Sequence, residues 1–187
     1  MVSKPVEYAH LRLRDRIAPG LRVLFVGINP GVRSALSGHH FAGPSNGFWK
    51  LLFDAGFVPE RITYADDDRL PAWGYGITNI VPRPTPGVSG LTLAELRAGR
   101  AALEKKVRRY RPGTVALVGI TVYRALFPGE KKVTPGRAPH RFAGRPVWVL
   151  PNPSGRNAHY SYAEMLRAFR ALAEAVRAPA REARSQP

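Results

Sequence analysis

The chain has 187 residues, 29 Lys and Arg against 13 Asp and Glu, a formal net charge of +16, 44% hydrophobic residues and no cysteine. That length and apolar content describe one domain with a sizeable core rather than a disordered polycation. The missing cysteines exclude a disulfide framework, a thiol nucleophile, a Cys-ligated zinc and an iron–sulfur cluster.

In chain order, residues 22–27 (Arg-Val-Leu-Phe-Val-Gly) are a short apolar, β-branched run and read as a buried strand. Residues 46–57 carry Phe48, Trp49, Leu51, Leu52 and Phe53 and read as a buried helix ending at Gly56. A second strand is expected at 76–81. Residues 92–111 form an amphipathic helix with Leu93, Leu96, Leu103, Val107 and Tyr110 on one face, opened by the Thr92/Glu95 capping box and stopped by Pro112-Gly113. A third strand at 114–119 leads into a short helix through Tyr123 and Phe127, and a fourth follows at 146–150. Ser161 and Glu164 open a last helix that buries Met165, Leu166, Phe169, Leu172 and Val176. Strands alternating with helices predict an α/β three-layer sandwich, with a mostly parallel central sheet of four or five strands flanked by helices. The expected organisation is an N-terminal extension over 1–16, one domain over 17–177 and a flexible tail over 178–187.

No run approaches the roughly 18 apolar residues of a membrane span. Residues 1–10 lack the apolar core of an export signal. A cytoplasmic monomer is therefore expected, nucleoid-associated in a bacterial host. The positive charge points to a polyanionic partner, nucleic acid ahead of anionic lipid. It is uneven. Residues 97–148 hold thirteen Lys and Arg against Glu104 and Glu130 only, whereas five of the acids fall at Asp54, Glu60, Asp66, Asp67 and Asp68. The basic stretch is a candidate for sequence-independent grip on phosphates.

Parallel strands place the loops that follow them on one rim, where open α/β sheets hold their ligands. Those loops are residues 27–31, 82–87 and 151–156, all rich in Gly, Pro and small polar residues. In Gly27-Ile28-Asn29-Pro30-Gly31, Pro30 pushes Asn29 toward extended backbone, so the loop offers one stiffly held carboxamide at a strand end. The plainer reading is an Asn-Pro turn. Neither a dinucleotide fingerprint nor a P-loop is present, so no cofactor is expected. In residues 39–50, Phe41 is either a stacking platform for a flat ligand or a core anchor. Asn46 either reads a polar edge or caps the next helix. The His39-His40 pair lacks a third ligand at suitable spacing, so no metal is expected.

Four ordered blocks then stand together: Gly27-Ile-Asn-Pro-Gly31, the His39 to Lys50 run, Gly76-Ile-Thr-Asn-Ile-Val81 with Arg83 and Thr85-Pro-Gly87, and Leu150-Pro-Asn-Pro-Ser-Gly155. This combination closely resembles the mismatch-specific uracil-DNA glycosylase and thymine-DNA glycosylase family, over about 17–175. Arg156 and His39-His40-Phe41 look like the thymine-type branch, and Asn152-Pro-Ser-Gly155 looks like the bacterial uracil-type branch.

The resemblance implies a monofunctional hydrolase of the N-glycosidic bond of uracil in G·U mismatches, with thymine in G·T and ethenocytosine as further candidates. It implies a flipped base, a duplex DNA partner containing a mismatched or damaged base, and no cofactor. Asn29 becomes the residue that positions water. A carboxamide orients water but is a poor general base, which suits a dissociative reaction whose hard step is departure of the base. Phe41 stacks on the base, Asn46 and Asn79 contact its edge, and the Ile28 amide supports a base carbonyl. Thr85, His40 and Ser34 line the pocket. Asn152, Pro153, Ser154 and Gly155 meet the DNA strand, and Arg156 is the wedge that fills the vacated hole. Two other readings use the same rim: a non-catalytic lesion-sensing DNA module, and a glycosylase of the same fold whose main substrate is an alkylated base.

Overall fold

The computed structural model describes residues 8–130, 132–155 and 159–177. The expected tail therefore lies outside the described residues, as do Arg156 and residues 1–7 of the expected N-terminal extension.

In chain order the elements are β1 (Val23–Gly27), α1 (Val32–Ser37), α2 (Phe48–Asp54), a 3-10 segment (Tyr64–Trp73), β2 (Tyr75–Asn79), α3 (Leu93–Tyr110), β3 (Thr114–Val118), α4 (Ile120–Leu126), β4 (Gly136–Phe142), β5 (Arg145–Leu150) and α5 (Tyr162–Arg177), with a short 3-10 turn at Val88–Gly90. The five strands form one sheet in the order β2-β1-β3-β5-β4. The pairs β1–β2, β1–β3 and β3–β5 are parallel and only β4–β5 is antiparallel. The expected three-layer α/β architecture is the observed one.

Alternation along the strands divides the core. Val23, Phe25, Tyr75, Ile77, Ala116 and Val118 face one way and pack with α2 and α5 around Phe48, Leu51, Phe169 and Leu172. Leu24, Val26, Val115, Leu117, Val147 and Val149 face the other way, onto Leu103, Val107, Val122 and Leu126 of α3 and α4. Helix α3 comes unusually close to the sheet. A Cβ at Gly99 would stand 2.3 Å from the Ile80 carbonyl oxygen, so only glycine admits this approach. That approach brings the first turn of α3 up to the loop after β2.

Three elements depart from the sequence reading. Strand β4 contains Gly136, Pro139, Arg137, His140 and Arg141 and carries no apolar alternation; it is an edge strand with a register shift between Arg137 and Arg141, where proline and charge are tolerated. The 3-10 segment holds Asp66, Asp67, Asp68 and Pro71, a composition that reads as an acidic connection. Helix α1 is only six residues long. Within the stretch read as an extension, Leu13 is buried, and Arg16 exchanges two backbone hydrogen bonds with Ile77, of 2.9 and 2.8 Å. No helix among the described residues is long and apolar enough to cross a membrane.

Candidate active site

The loops after β1 and β2 are stitched together beyond the ends of the strands. Gly27 pairs with Asn79 in the last register position. The carbonyls of Gly27, Ile28 and Pro30 then accept from the N–H groups of Ile80, Val81 and Thr85 at 2.9, 2.9 and 3.2 Å. Asn29 lies between them. Its Nδ2 donates to the Arg83 carbonyl at 3.0 Å and to Thr85 Oγ1 at 2.7 Å, while Thr85 Oγ1 donates its own proton to the Gly87 carbonyl at 2.7 Å. A backbone carbonyl only accepts, and the Thr85 proton is committed elsewhere. The carboxamide can therefore sit one way round: nitrogen toward the second loop, Oδ1 left as an acceptor. That disposition suits orienting a water molecule without taking its proton.

The second loop is held from behind by α3. Arg83 donates from Nε and Nη2 to the two oxygens of Glu95, at 2.6 and 3.0 Å, and from Nη2 to the Gly90 carbonyl at 2.7 Å. Glu95 also accepts from the Thr92 amide and hydroxyl, closing the α3 capping box. The Arg83 guanidinium and then the Thr92 amide hold the Glu95 carboxyl at about 2, well below its ordinary 4.5. One carboxylate thus caps a helix and braces the loop that grips Asn29.

Phe41 and Asn79 meet over Gly27. A Cβ at Gly27 would lie 2.5 Å from Asn79 Oδ1 and 3.9 Å from Phe41 Cζ. The space a side chain would fill at the end of β1 is thus taken by the two groups expected to face a flat ligand. Phe41 has a φ of +52° and its ring stacks on Phe48 at 4.0 Å and 23°. The stacking-platform and core-anchor readings of Phe41 are compatible, because the ring leans on the core cluster while the residue stays only half-buried.

The other expected site residues have definite places. Ile28 packs toward the α3 side, with its carbonyl held by Val81. Ser34 is buried and accepts the Ala42 N–H on Oγ at 3.1 Å, so it ties α1 to the Phe41 segment. His40 is 2% exposed. Its Nε2 donates to the Arg14 carbonyl at 3.0 Å, its N–H to Asp67 at 2.9 Å, and its carbonyl accepts from Trp49 Nε1 at 3.1 Å. Burial pushes the imidazole below its ordinary value, and the bonds of Nε2, the main-chain N–H and the carbonyl tie the residue before Phe41 to Arg14, Asp67 and Trp49. Asn46 stands one residue before Gly47, the N-cap of α2, and its Oδ1 accepts the Phe48 N–H at 3.0 Å, leaving the amide nitrogen as a donor. The third loop docks on this segment. Gly47 N–H donates to the Pro153 carbonyl at 2.8 Å, Asn152 Oδ1 accepts from the Ser154 N–H at 3.0 Å, and a Cβ at Gly155 would collide with Ser45 at 2.5 Å.

Three residues of this frame carried no site reading in the sequence. Asp67 looks like one of three adjacent acids, Glu95 like a helix cap and Phe48 like a core aromatic. Only the contacts they make in the folded chain single them out.

The parallel-sheet rim thus presents an oriented carboxamide on Asn29, and an aromatic ring and a second asparagine that meet over Gly27, in a strongly basic protein. The sequence profile of the Uracil DNA glycosylase superfamily matches residues 15–176, and the chain belongs to that superfamily. The solution NMR structure of a Methanosarcina acetivorans protein, provisionally named a uracil DNA glycosylase, has the same fold. The TM-score is 0.55 at 18% sequence identity, covering 87% of this chain and 98% of that one.

Proposed function

We propose that the protein is a monofunctional, mismatch-directed DNA glycosylase that removes uracil from G·U pairs. The observation that carries this reading is Asn29, a carboxamide with its amide nitrogen engaged twice and its oxygen left to accept, at the end of a buried strand. The bond between C1′ and the base nitrogen breaks first, and its electron pair leaves with the base. A water held by Asn29 Oδ1 then adds to C1′ and releases its proton to solvent. Because the asparagine only orients water, the rate depends on how well the base departs, and donors around the base carry that burden. Asn79 and the amide nitrogen of Asn46 are such donors, and Phe41 is the stacking face. Arg156 is the wedge in this reading. A mismatched base costs less to extrude than a paired one, which favours G·U over A·U.

The test is base release from G·U, A·U, G·T and ethenocytosine duplexes. The expected result is free uracil and an abasic site, fastest from G·U, and loss of most release in Asn29→Ala at unchanged DNA affinity. Tight, salt-sensitive binding with no base released from any duplex would make the protein a lesion-binding module instead. Faster release of ethenocytosine than of uracil would move the main substrate to alkylated bases.

A further inference from the structure

Away from the rim loops, one buried charged group has no part in the reaction just described. Asp67 lies in the 3-10 segment Tyr64–Trp73, where the three adjacent acids have separate fates. Asp66 closes the capping box with Thr63, Asp68 is exposed, and Asp67 is 0% exposed. Its oxygens gather three N–H donors from two other parts of the chain. Oδ1 accepts from Arg16 Nε at 2.8 Å and from His39 Nδ1 at 3.1 Å, and Oδ2 accepts from the His40 amide at 2.9 Å. Since a carboxylate here only accepts, His39 carries its proton on Nδ1.

The next residue is Phe41, one of three non-glycine residues among those described with a positive φ. Aromatic residues adopt that backbone region at a cost, and hold it where the surroundings over-determine it. The determinants are visible on both sides: His39 and His40 fastened to Asp67, and the Ala42 amide fastened to Ser34 Oγ. Phe41 is slung between these two anchors.

We infer that Asp67 is the positioning residue of the base pocket, the group that holds the 39–41 turn and so sets the Phe41 ring over Gly27 beside Asn79. This rests on the reading of Phe41 as the stacking face for the base. Asp67 is fully buried and acts only through the turn. The role requires an aspartate. Three donors converge on two oxygens, and an amide would turn its own N–H against one of them, leaving buried donors unpaired. A displaced aromatic wall matters because a misplacement of about 1 Å at a reacting centre costs on the order of a hundredfold in rate.

The experiment compares wild type, Asp67→Asn and His39→Leu, all as the full chain, with two readouts. The first is the NOE between the Phe41 and Phe48 rings in the free protein, which reports the ring position without any DNA. The second is single-turnover uracil release from a G·U duplex, with affinity for an abasic duplex measured alongside. In Asp67→Asn the ring NOE is expected to vanish and release to fall about tenfold to a hundredfold, with abasic-duplex affinity within about twofold of wild type. His39→Leu, which removes one donor and spares the carboxylate, is expected to show a smaller change in the same direction. A thermal transition checks that each variant folds; if Asp67→Asn does not, His39→Leu decides. An intact ring NOE in the folded variants overturns the inference whatever the activity. A vanished NOE with wild-type release also overturns it, by uncoupling the turn from the site. If wild type releases no base, the glycosylase reading falls alone, and the ring NOE still decides what Asp67 holds.

Discussion

Thr85 Oγ1 accepts from Asn29 Nδ2 at 2.7 Å and hands its own proton to the Gly87 carbonyl. The hydroxyl therefore acts as a one-way relay that fixes which end of the carboxamide faces the loop. Asn29→Asp would set a carboxylate oxygen against the Arg83 carbonyl, two acceptors with no proton between them. Uracil release is expected to drop by more than about a hundredfold, comparable to removing a catalytic donor. Thr85→Val keeps the volume and loses the relay, and about a tenfold loss is expected at unchanged DNA affinity. Single-turnover release with a parallel binding titration measures both, and a Thr85→Val protein with full activity would remove the relay from the mechanism.

Gly27 is the point where Asn79 and Phe41 converge, so Gly27→Ala forces its new methyl into Asn79 Oδ1. A cost of about 1–3 kcal/mol is expected from overpacking, together with loss of base release. In Gly27→Ala/Asn79→Ala the clash has no partner. Chemical denaturation of the four members of this cycle should show stability recovered in the double variant while activity stays low. Additive destabilisation would show that the clash is not the cause.

His40 predicts a pH dependence of stability. The unfolded chain takes up a proton on this imidazole near 6.5, whereas burial holds the folded value lower. The folded state thus binds fewer protons, and stability is full above about 6.5 and declines as pH falls below it toward the folded value. Glu95 adds its own loss only further down, between its ordinary 4.5 and about 2. Thermal melts from about pH 7.5 to about pH 5 should therefore fall in wild type and be flatter in His40→Gln. Equal slopes would assign the decline to another group.

The charges of the basic stretch differ in how they are held. On α3, Lys106 is paired with Asp15 and Arg108 with Glu104, whereas Arg97, Lys105 and Arg109 meet no carboxylate among the described residues. On β4, Arg137 and Arg141 border a groove of about 380 Å³ with Pro139, His140 and Pro146, and neither arginine meets a carboxylate among the described residues. Pro139 lacks the N–H that an added strand would use, so charge rather than strand pairing is what this edge offers. Arg137→Ala/Arg141→Ala is expected to lower the slope of log affinity against log salt by about 0.9 for each phosphate no longer neutralised. The single-turnover rate at saturating enzyme should not change. An unaltered slope would place the DNA elsewhere.

Periodicity and composition were enough to read the layered sheet, because buried parallel strands such as 114–118 are continuous apolar runs and α3 declares both of its ends. Strand β4 escaped that reading since an edge strand has little to bury. The rim itself was legible from Gly27, Asn29 and Phe41, residues whose types restrict the backbone or offer one polar group. What could not be read was orientation. Which end of Asn29 faces the loop depends on Arg83 and Thr85, more than fifty positions away. Asp66, Asp67 and Asp68 are chemically identical in a sequence and differ only in which donors the fold brings to them.

From the Thr92 cap to Asn29 the path is three links long: Thr92 to Glu95, Glu95 to Arg83, and the Arg83 carbonyl to the carboxamide. Fraying of the first turn of α3 therefore takes away the brace of the loop that aligns Asn29. The helix–coil balance at one helix end becomes a rheostat on how many molecules hold an aligned asparagine at any moment. Substitutions on that exposed turn, such as at Leu93 or Thr92, would tune turnover without touching the rim.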